Sequence, residues 1–250
     1  ILKQRNNYLK QLQQKKATDT LYLEVLSEQL AQFAGAIIVK RLEFLAELER
    51  YAKEIHSQIT QDKEQLAFSY ESSLKEPSQA TENEITEALK KGFANLQQKE
   101  IFQGTTLLGP HRDDVVFKIN EQNVQIYGSQ GQQRTTALSV KLAEIELMKN
   151  KTGEYPILLL DDVLSELDGN RQTHLLKTIQ GRVQTFLTTP GLNDITQQLI
   201  KEPKIFHIDD GQISENSEMA ENHIDWISED ENKVVTFYPK NEKSKKGQST

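Results

Sequence analysis

The sequence predicts an α/β fold in which helices cover a parallel sheet, together with a mainly helical arm. The first observation is the apolar run of residues 157–160, which follows Pro156 and ends at Asp161 and Asp162. An uninterrupted apolar run this short is typical of a strand buried on both faces, as in parallel sheets. The second observation is the alternation of strand and helix patterns that continues to residue 213. The third is the apolar spacing of three and four residues over much of the first hundred positions.

The arm contains a long predicted helix. Asp19 or Thr20 is a suitable N-cap, and the helix is expected to run to about Thr60. Its apolar spacing slips at Lys40 and Arg41, which indicates an arm packed on its neighbours and not an extended coiled coil. The predicted buried positions are Leu23, Leu26, Leu30, Phe33 and Ile37 before the slip, and Leu45, Leu48, Ala52, Ile55 and Ile59 after it.

A strand and a further helix complete the arm. Residues 66–70 alternate apolar and polar side chains as a strand does. Thr81 and Glu84 have the spacing of a capping box, so we predict a helix from there to about Glu100. We assign residues 1–103 to this mainly helical lobe, which taken alone is better described as an adaptor without chemistry of its own.

Residues 104–213 follow a different pattern. Apolar and polar residues alternate over residues 115–119 and again over 124–126, so we predict a hairpin linked by residues 120–123. A helix is expected from about Thr135 to Asn150, with a buried stripe of Leu138, Leu142, Ile145 and Met148. After the apolar run come a predicted helix at 169–180, a buried strand at 183–189 and a closing strand or hairpin at 205–213.

Two stretches in this segment could bind a phosphorylated ligand. Residues 128–134 place two glycines, a serine and several amides ahead of a helix, where free backbone N–H groups and the helix dipole attract anions. Asp161 and Asp162 would lie at the carboxyl edge of the sheet, where a phosphate-bound metal could be met. The plain alternatives are a glycine-containing N-cap and two acids that merely end a strand. His111 could also bind a metal, but a single histidine without spaced partners is more typical of a hydrogen-bonded loop residue.

Composition narrows the class of protein. Thirty basic and 37 acidic residues give a formal charge of −7, which does not by itself indicate nucleic-acid binding. Residues 1–16 carry five bases and no acid, whereas residues 214–250 begin with many acids and are predicted to be a disordered tail. The absence of cysteine excludes disulfides and zinc sites of the cysteine type. No apolar run approaches the length of a membrane span, so we expect a soluble cytoplasmic protein.

Four motifs together resemble a known family. They are GPHRDD at 109–114, YGSQGQQRT at 127–135, ILLLDD at 157–162 and SELD at 165–168, and the resemblance extends into the arm through KQRN at 3–6. In this order they resemble the C-terminal half of an ABC-type ATPase head and, more closely, the RecF family of DNA replication and repair proteins. Heads of the chromosome-structure and double-strand-break repair ATPases carry very long coiled coils, whereas the arm here is short.

The resemblance implies roles for individual residues. Ser129, Gly131 and Gln132 would form the signature that touches the γ-phosphate of ATP bound to the other subunit. Asp161 would hold Mg²⁺ directly or through water. Asp162 would take the place of the residue that orients the attacking water, although most ABC-type heads have glutamate there.

Further implied roles concern the dimer interface and DNA. Ser165 and Asp168 would belong to the D-loop across the interface. Thr188 and Thr189 stand where transporters have a switch histidine, so that role stays open. The candidate DNA contacts are Lys3, Arg5, Lys10, Lys15 and Lys16.

For the intact protein the resemblance implies ATP-dependent homodimerisation on single- and double-stranded DNA at gaps or junctions. It would help RecO and RecR to load RecA during DNA repair, replication restart and the SOS response. No G-x-x-x-x-G-K-[ST] phosphate loop occurs in the sequence, so we expect that loop upstream of Ile1. The intact protein would be a slow DNA-dependent ATPase, and this chain alone would neither bind ATP tightly nor hydrolyse it. The alternatives are a non-catalytic scaffold head and the head of another SMC-like DNA-repair ATPase.

Overall fold

A computed structural model describes residues 1–74, 77, 80–165, 167–189, 204–209, 212–215 and 232–237. The chain folds as two compact units, Ile1–Arg50 with Leu66–Gly128, and Tyr51–Gln65 with Ser129–Thr250. Helices and a sheet with a parallel pair confirm the α/β class. The units are bounded differently from the predicted segments, because residues 104–128 contain a strand that pairs within the first unit.

The first unit is mainly helical. Its elements are α1 (Leu2–Gln13), most of α2 (Thr20–Thr60), β1 (Leu66–Glu71), α3 (Glu82–Gln103), β2 (Asp114–Ile119), β3 (Gln122–Asn123) and α4 (Val124–Tyr127). The predicted long helix is confirmed as α2, and the capping box of Thr81 and Glu84 is present at the start of α3. Helix α3 ends at Gly104, which has a left-handed φ of 64° as helix C-caps require.

The buried stripe of α2 differs from the predicted one. Phe33 is 60% exposed and Ile37 is 48% exposed, whereas Ala34 and Ile38 are buried. The core of this unit contains Leu30, Ala31, Ala34 and Ile38 of α2 together with Ile85, Leu89 and Phe93 of α3. The two helices approach so closely that a Cβ on Gly35 would lie 2.3 Å from Thr86 Oγ1. The face of α2 that packs on α3 therefore contains Gly35 and two alanines at the point of closest approach, whereas Phe33 and Ile37 are exposed.

A buried ion pair ties α1 to α3. Arg5 is fully buried and donates to Glu100 Oε2 at 2.6 Å, to Thr106 Oγ1 at 2.8 Å and to Ser27 Oγ at 3.0 Å. Its guanidinium carbon also lies 4.5 Å from the centre of the Phe93 ring. Asn6 Oδ1 accepts from Thr106 N at 2.8 Å. The predicted DNA contact at Arg5 is therefore wrong, because its guanidinium is buried and makes its hydrogen bonds inside the unit.

The predicted hairpin is only partly correct. Strand β2 pairs antiparallel with both β1 and the two-residue β3. The link is Asn120 and Glu121, whose φ values of 49° and 68° are both left-handed, as in a type I′ turn. Val124–Tyr127 forms α4 instead of continuing a strand, because Asn123 Oδ1 accepts from Gln125 N and Ile126 N and so caps a helix.

The second unit contains the predicted strand and helix alternation. After the end of α2 it consists of α5 (Gln130–Thr152), β4 (Leu158–Asp161), α6 (Gly169–Ile179), β5 (Thr185–Thr189), β6 (Lys204–Asp209), β7 (Gln212–Glu215) and β8 (Asn232–Phe237). The sheet order is β4-β5-β8-β6-β7. Strands β4 and β5 are parallel and joined through α6, whereas the other pairs are antiparallel. The predicted closing hairpin corresponds to β6 and β7.

Strand β4 is not buried on both faces as predicted. Leu159 is 73% exposed and Ile157 is 61% exposed, since no described segment covers this face. An open groove of about 490 Å³ runs along it between α5 and β4, lined by apolar side chains that include Ala137, Ile145, Met148, Ile157, Leu159 and Val163. The same groove explains why Met148 of the predicted stripe is half exposed, while Leu147 is buried instead.

The predicted disordered tail differs at two places. Gln212–Glu215 forms β7, and Asn232–Phe237 forms β8 between β5 and β6. The sequence NKVVTF is rich in β-branched and aromatic residues, which favours a strand over disorder. Residues 216–231 and 238–250 lie outside the described residues. None of the described helices is both long and apolar enough to span a membrane.

We predict that removing one partner of the buried ion pair destabilises the first unit strongly. Glu100→Ala leaves the Arg5 cation buried without its counter-ion, which should lower the free energy of unfolding by about 3–5 kcal/mol. Urea unfolding followed by circular dichroism measures the change. The control is Glu87→Ala on the same helix, since Glu87 pairs with Lys90 in solvent. Equal effects of the two substitutions would contradict the assigned role.

We also predict that a glycine in the turn after β2 increases the stability of the first unit. Glu121→Gly relieves a left-handed backbone that a side chain disfavours and should stabilise the unit by up to about 1 kcal/mol. Gln122→Gly, one residue further on in β3, should instead destabilise it. A shift of both melting temperatures in the same direction would show that the turn conformation is not the cause.

Candidate functional site

The ends of β4 and β5 bring the two predicted aspartates to one threonine. The parallel register aligns Asp161 with Thr188. The Thr188 hydroxyl donates to Asp161 Oδ1 and accepts from Asp162 N at 3.1 Å. Asp162 N also donates to Thr188 O at 3.1 Å. Thr188, whose role the sequence left open, therefore fixes the backbone and one carboxylate at the end of the strand.

The backbone turns sharply at Asp162. Its φ of 49° is left-handed, a conformation that aspartate tolerates better than most side chains. Ser165 Oγ donates to Asp162 O at 2.9 Å and so closes the turn. Asp161, Asp162 and Ser165 are all exposed. The turn thus presents two carboxylates to solvent at the carboxyl edge of the parallel pair.

The donor set at this edge fits magnesium in part. Carboxylate oxygens are hard ligands, and Mg²⁺ is usually held by one or two of them together with waters and substrate phosphates. Asp161 Oδ2 accepts no hydrogen bond from any residue that the structure describes. Within the described residues no three histidines, aspartates or glutamates are clustered so as to hold a metal by themselves. The site therefore fits a metal that also binds the ligand's phosphates.

The glycine-containing stretch forms the first turn of α5. The helix begins at Gln130, five residues before the predicted start at Thr135. The reason is a capping box in which Ser129 Oγ accepts from Gln132 N at 3.2 Å and Gln132 Oε1 accepts from Ser129 N at 3.0 Å. Ser129 is exposed, and Gly131 and Gln132 are half-buried. The expected helix start is therefore open to solvent.

Arg171 joins the start of α5 to the start of α6. Its guanidinium forms an ion pair with Asp168 and donates to Thr135 Oγ1 at 2.5 Å and to Gly131 O at 3.2 Å. Asp168 is also the N-cap of α6, because its side chain accepts from Arg171 N at 3.0 Å. A Cβ on Gly131 would lie only 3.3 Å from the guanidinium. The structure thus connects the predicted D-loop residue Asp168 to the predicted signature.

A buried histidine and a glutamate lie behind the same helix turn. His56 contacts Ser139 Oγ through Nδ1 at 3.2 Å and Glu64 Oε2 through Nε2 at 3.1 Å. Glu64 Oε1 accepts from Gln132 Nε2 at 3.1 Å. Burial lowers the pKa of His56, and this outweighs the opposing effect of Glu64. Neither residue was expected from the sequence, because 68 positions separate Glu64 from Gln132.

The GPHRDD motif serves internal contacts in the first unit. His111 Nε2 lies 3.4 Å from Thr106 O, and Arg112 donates to the same oxygen at 2.8 Å. Burial lowers the pKa of His111. Asp113 accepts from Tyr70 Oη at 2.6 Å and from Ser73 N at 2.7 Å. These contacts support the interpretation of His111 as a hydrogen-bonded loop residue.

The basic start of the chain keeps four of its five predicted DNA contacts at the surface. Lys3, Lys10, Lys15 and Lys16 are exposed on and just after α1, whereas Arg5 is buried. No aspartate or glutamate occurs among residues 1–16. The exposed charge of this segment is therefore entirely positive.

The predicted site residues fall into two groups within the second unit. Asp161 and Asp162 both contact Thr188, and Ser165 bonds to Asp162. Arg171 links Asp168 to Gly131, and Ser129 and Gln132 bond to each other in the capping box of the same helix turn. The position of Thr188 could be predicted from the sequence, because it is the last residue but one of the next parallel strand. Arg171 lies three residues after the Asp168 cap, a spacing that permits the ion pair but does not predict its contacts with α5.

Comparisons with known proteins agree with these motifs. No family model matches the chain. It is 68% identical over 217 residues to the DNA replication and repair protein RecF of Ligilactobacillus salivarius, covering 87% of this chain and 57% of that protein. It is 51% identical over 213 residues to RecF of Bacillus subtilis, covering 85% of this chain and 58% of the relative. The chain thus spans little more than half the length of these curated relatives.

Solved structures give the same result. Two structures of the recombination mediator protein RecF, one with ATP and one with ATPrS, match with a TM-score of 0.74 and 34% identity. They cover 86% of this chain and 55–56% of the matched chains. The match confirms the predicted resemblance in fold to this type of ATPase head. The chain belongs to the RecF family of DNA replication and repair proteins.

Proposed function

We propose that the intact protein is a recombination mediator that dimerises on DNA when it binds ATP. It would act at gaps or junctions and help RecO and RecR to load RecA during repair and the SOS response in the cytoplasm. The observation that carries the proposal is the joint exposure of Asp161 at the end of β4 and of Ser129 at the start of α5. Phosphoryl transfer depends mainly on positioning and charge neutralisation, so one subunit can supply the acids and the other the helix start.

The proposed roles follow the two groups of residues. Asp161 would hold Mg²⁺, which neutralises charge on the phosphates when bound, and Thr188 keeps one of its oxygens oriented. Asp162 would orient the attacking water. Ser129, Gly131 and Gln132 would touch the γ-phosphate of ATP bound to the partner subunit, since first-turn N–H groups and side-chain donors suit an anion.

Ser165 and Asp168 would lie at the interface between the two heads. Asp168 is exposed although it pairs with Arg171, so it can meet another subunit without leaving the cap of α6. Asp162 is one methylene shorter than the glutamate of most ABC-type heads, and it lies in a left-handed turn after β4. We expect the shorter carboxylate to act as a weaker base, which would make ATP turnover slow.

DNA contact is assigned to the exposed lysines of the first unit. Lys3, Lys10, Lys15 and Lys16 can neutralise phosphates despite the formal charge of −7, because residues 1–16 carry no acid. Such contacts release counter-ions, and binding must therefore weaken as salt rises.

We predict that Asp161→Ala in the intact protein abolishes ATP turnover. The loss of one charge-assisted metal ligand should lower kcat by at least about a hundredfold. The control is Glu154→Ala, an exposed acid in the turn before β4, which should leave turnover unchanged. Wild-type turnover in the Asp161→Ala protein, or no turnover in an intact wild-type protein that still dimerises, would favour a non-catalytic scaffold.

We predict that the exposed lysines set the salt dependence of DNA binding. In Lys3→Gln/Lys10→Gln, the slope of log K against log salt concentration should fall by about 0.9 for each lysine that contacts a phosphate. The matched control is Lys91→Gln/Lys99→Gln, which removes two exposed lysines of α3. If both double variants give the same slope, the lysines at the start of the chain do not contact DNA.

A further inference from the structure

The side chain of Glu64 stands directly behind the proposed phosphate-binding turn. One carboxylate oxygen faces His56 Nε2 at 3.1 Å, and the other accepts from Gln132 Nε2 at 3.1 Å. The side chain is 23% exposed, so its contacts are partly shielded from water. A single carboxylate thus joins the end of α2 to the side chain of a predicted signature residue.

The local backbone explains why Glu64 reaches this position. Helix α2 stops at Thr60, and Gln61 and Asp62 follow with left-handed φ values of 54° and 60°. Asp62 N donates to Ser57 O at 2.9 Å, and Lys63 N donates to Thr60 O at 3.2 Å. The chain therefore reverses within two residues and returns Glu64 beside His56 on the last turns of the helix.

The contacts of Glu64 fix the orientation of the Gln132 amide. His56 is fully buried and is itself placed by Ser139 of α5, so it fixes one oxygen of the carboxylate. The remaining oxygen can only accept hydrogen bonds and must therefore face the NH₂ end of the Gln132 amide. The carbonyl end of that amide then faces Ser129 N, as observed at 3.0 Å.

An amide nitrogen carries two hydrogens, and Glu64 uses one of them. The second makes no hydrogen bond to any described residue, so it would be available as a donor to a ligand at the first turn. If the amide were reversed, its oxygen would face Glu64 and the ligand with lone pairs, and it would repel a phosphate. The orientation of one side chain therefore decides whether Gln132 attracts or repels an anion.

We propose that Glu64 is a positioning residue that holds the Gln132 amide with its nitrogen ready for the γ-phosphate. This inference rests on the proposed function of the signature in nucleotide-dependent dimerisation. Glu64 acts through its reach and its acceptor oxygen, and not through its negative charge. A charge alone would oppose phosphate binding at this distance from the helix start.

Two conservative substitutions in the intact protein separate reach from charge. Glu64→Gln keeps the length and one acceptor oxygen for Gln132, and its NH₂ group can donate to His56 Nε2 when the neutral ring carries its proton on Nδ1. The ATP concentration for half-maximal dimerisation should therefore stay within about twofold of the wild type. Glu64→Asp keeps the charge but withdraws the oxygen by one methylene, and that concentration should rise about tenfold. The control is Glu54→Ala on the exposed face of the same helix, which should behave as the wild type.

A double variant tests whether Glu64 acts through Gln132. Once Gln132→Ala has removed the amide, adding Glu64→Asp should cause no further loss, because interacting residues are non-additive. Full additivity would overturn the proposal. So would wild-type behaviour of Glu64→Asp, or a loss in Glu64→Gln that exceeds the loss in Glu64→Asp.

Amide hydrogen exchange gives a readout that does not depend on ATP. In Glu64→Asp the Ser129 N–H loses its held acceptor and should exchange about tenfold faster, while amides in the middle of α5 keep their rates. Unchanged exchange at Ser129 would overturn the positioning role. If the wild-type protein does not dimerise with ATP, the proposed function fails, and the exchange result still decides whether Glu64 orients Gln132.

Discussion

The parallel register of β4 and β5 is the constraint on which the acidic site depends. It places Asp161 opposite Thr188, so that one hydroxyl can serve the carboxylate of Asp161 and the backbone of Asp162. Because side chains alternate between the faces of a strand, a slip of one residue would send Asp161 to the opposite face. The apolar run of β4 resists such a slip only in part, since two of its side chains are exposed. The threonine contacts therefore supply much of the specificity of this register.

Buried polar groups organise both units, with different consequences. In the first unit Arg5 donates hydrogen bonds to Glu100 and Thr106. These bonds connect α1 to the end of α3 and to the loop after it. In the second unit Arg171 and Glu64 contact the first turn of α5, and His56 contacts Glu64, while Ser129 stays exposed. A ligand that meets this turn finds its donors already in place, which reduces the entropy that binding must overcome.

Much of the fold can be predicted from local sequence patterns, whereas many contacts of the candidate site cannot. Short stretches of sequence are enough to predict helix α2, the capping box of α3 and the alternation of strands and helices around β4. Each depends on residue spacing and turn residues that are close together in the chain. The predicted buried stripe of α2 is wrong at Phe33 because α3 packs on Ala34 and approaches Gly35 closely, and only the packing of the two helices reveals this. Arg5 was misassigned for a similar reason, as its partner lies 95 residues away. No sequence pattern near Glu64 predicts its contact with Gln132, which lies 68 positions away.

The uncovered face of β4 has a practical consequence. Leu159 and Ile157 project from a strand whose second edge pairs with no described strand. An apolar strand with a free edge is a template on which other chains can add, so the isolated polypeptide should aggregate as its concentration rises. Charged replacements at these two positions should improve solubility during purification, since neither side chain takes part in the hydrogen bonds of the acidic turn or the helix start.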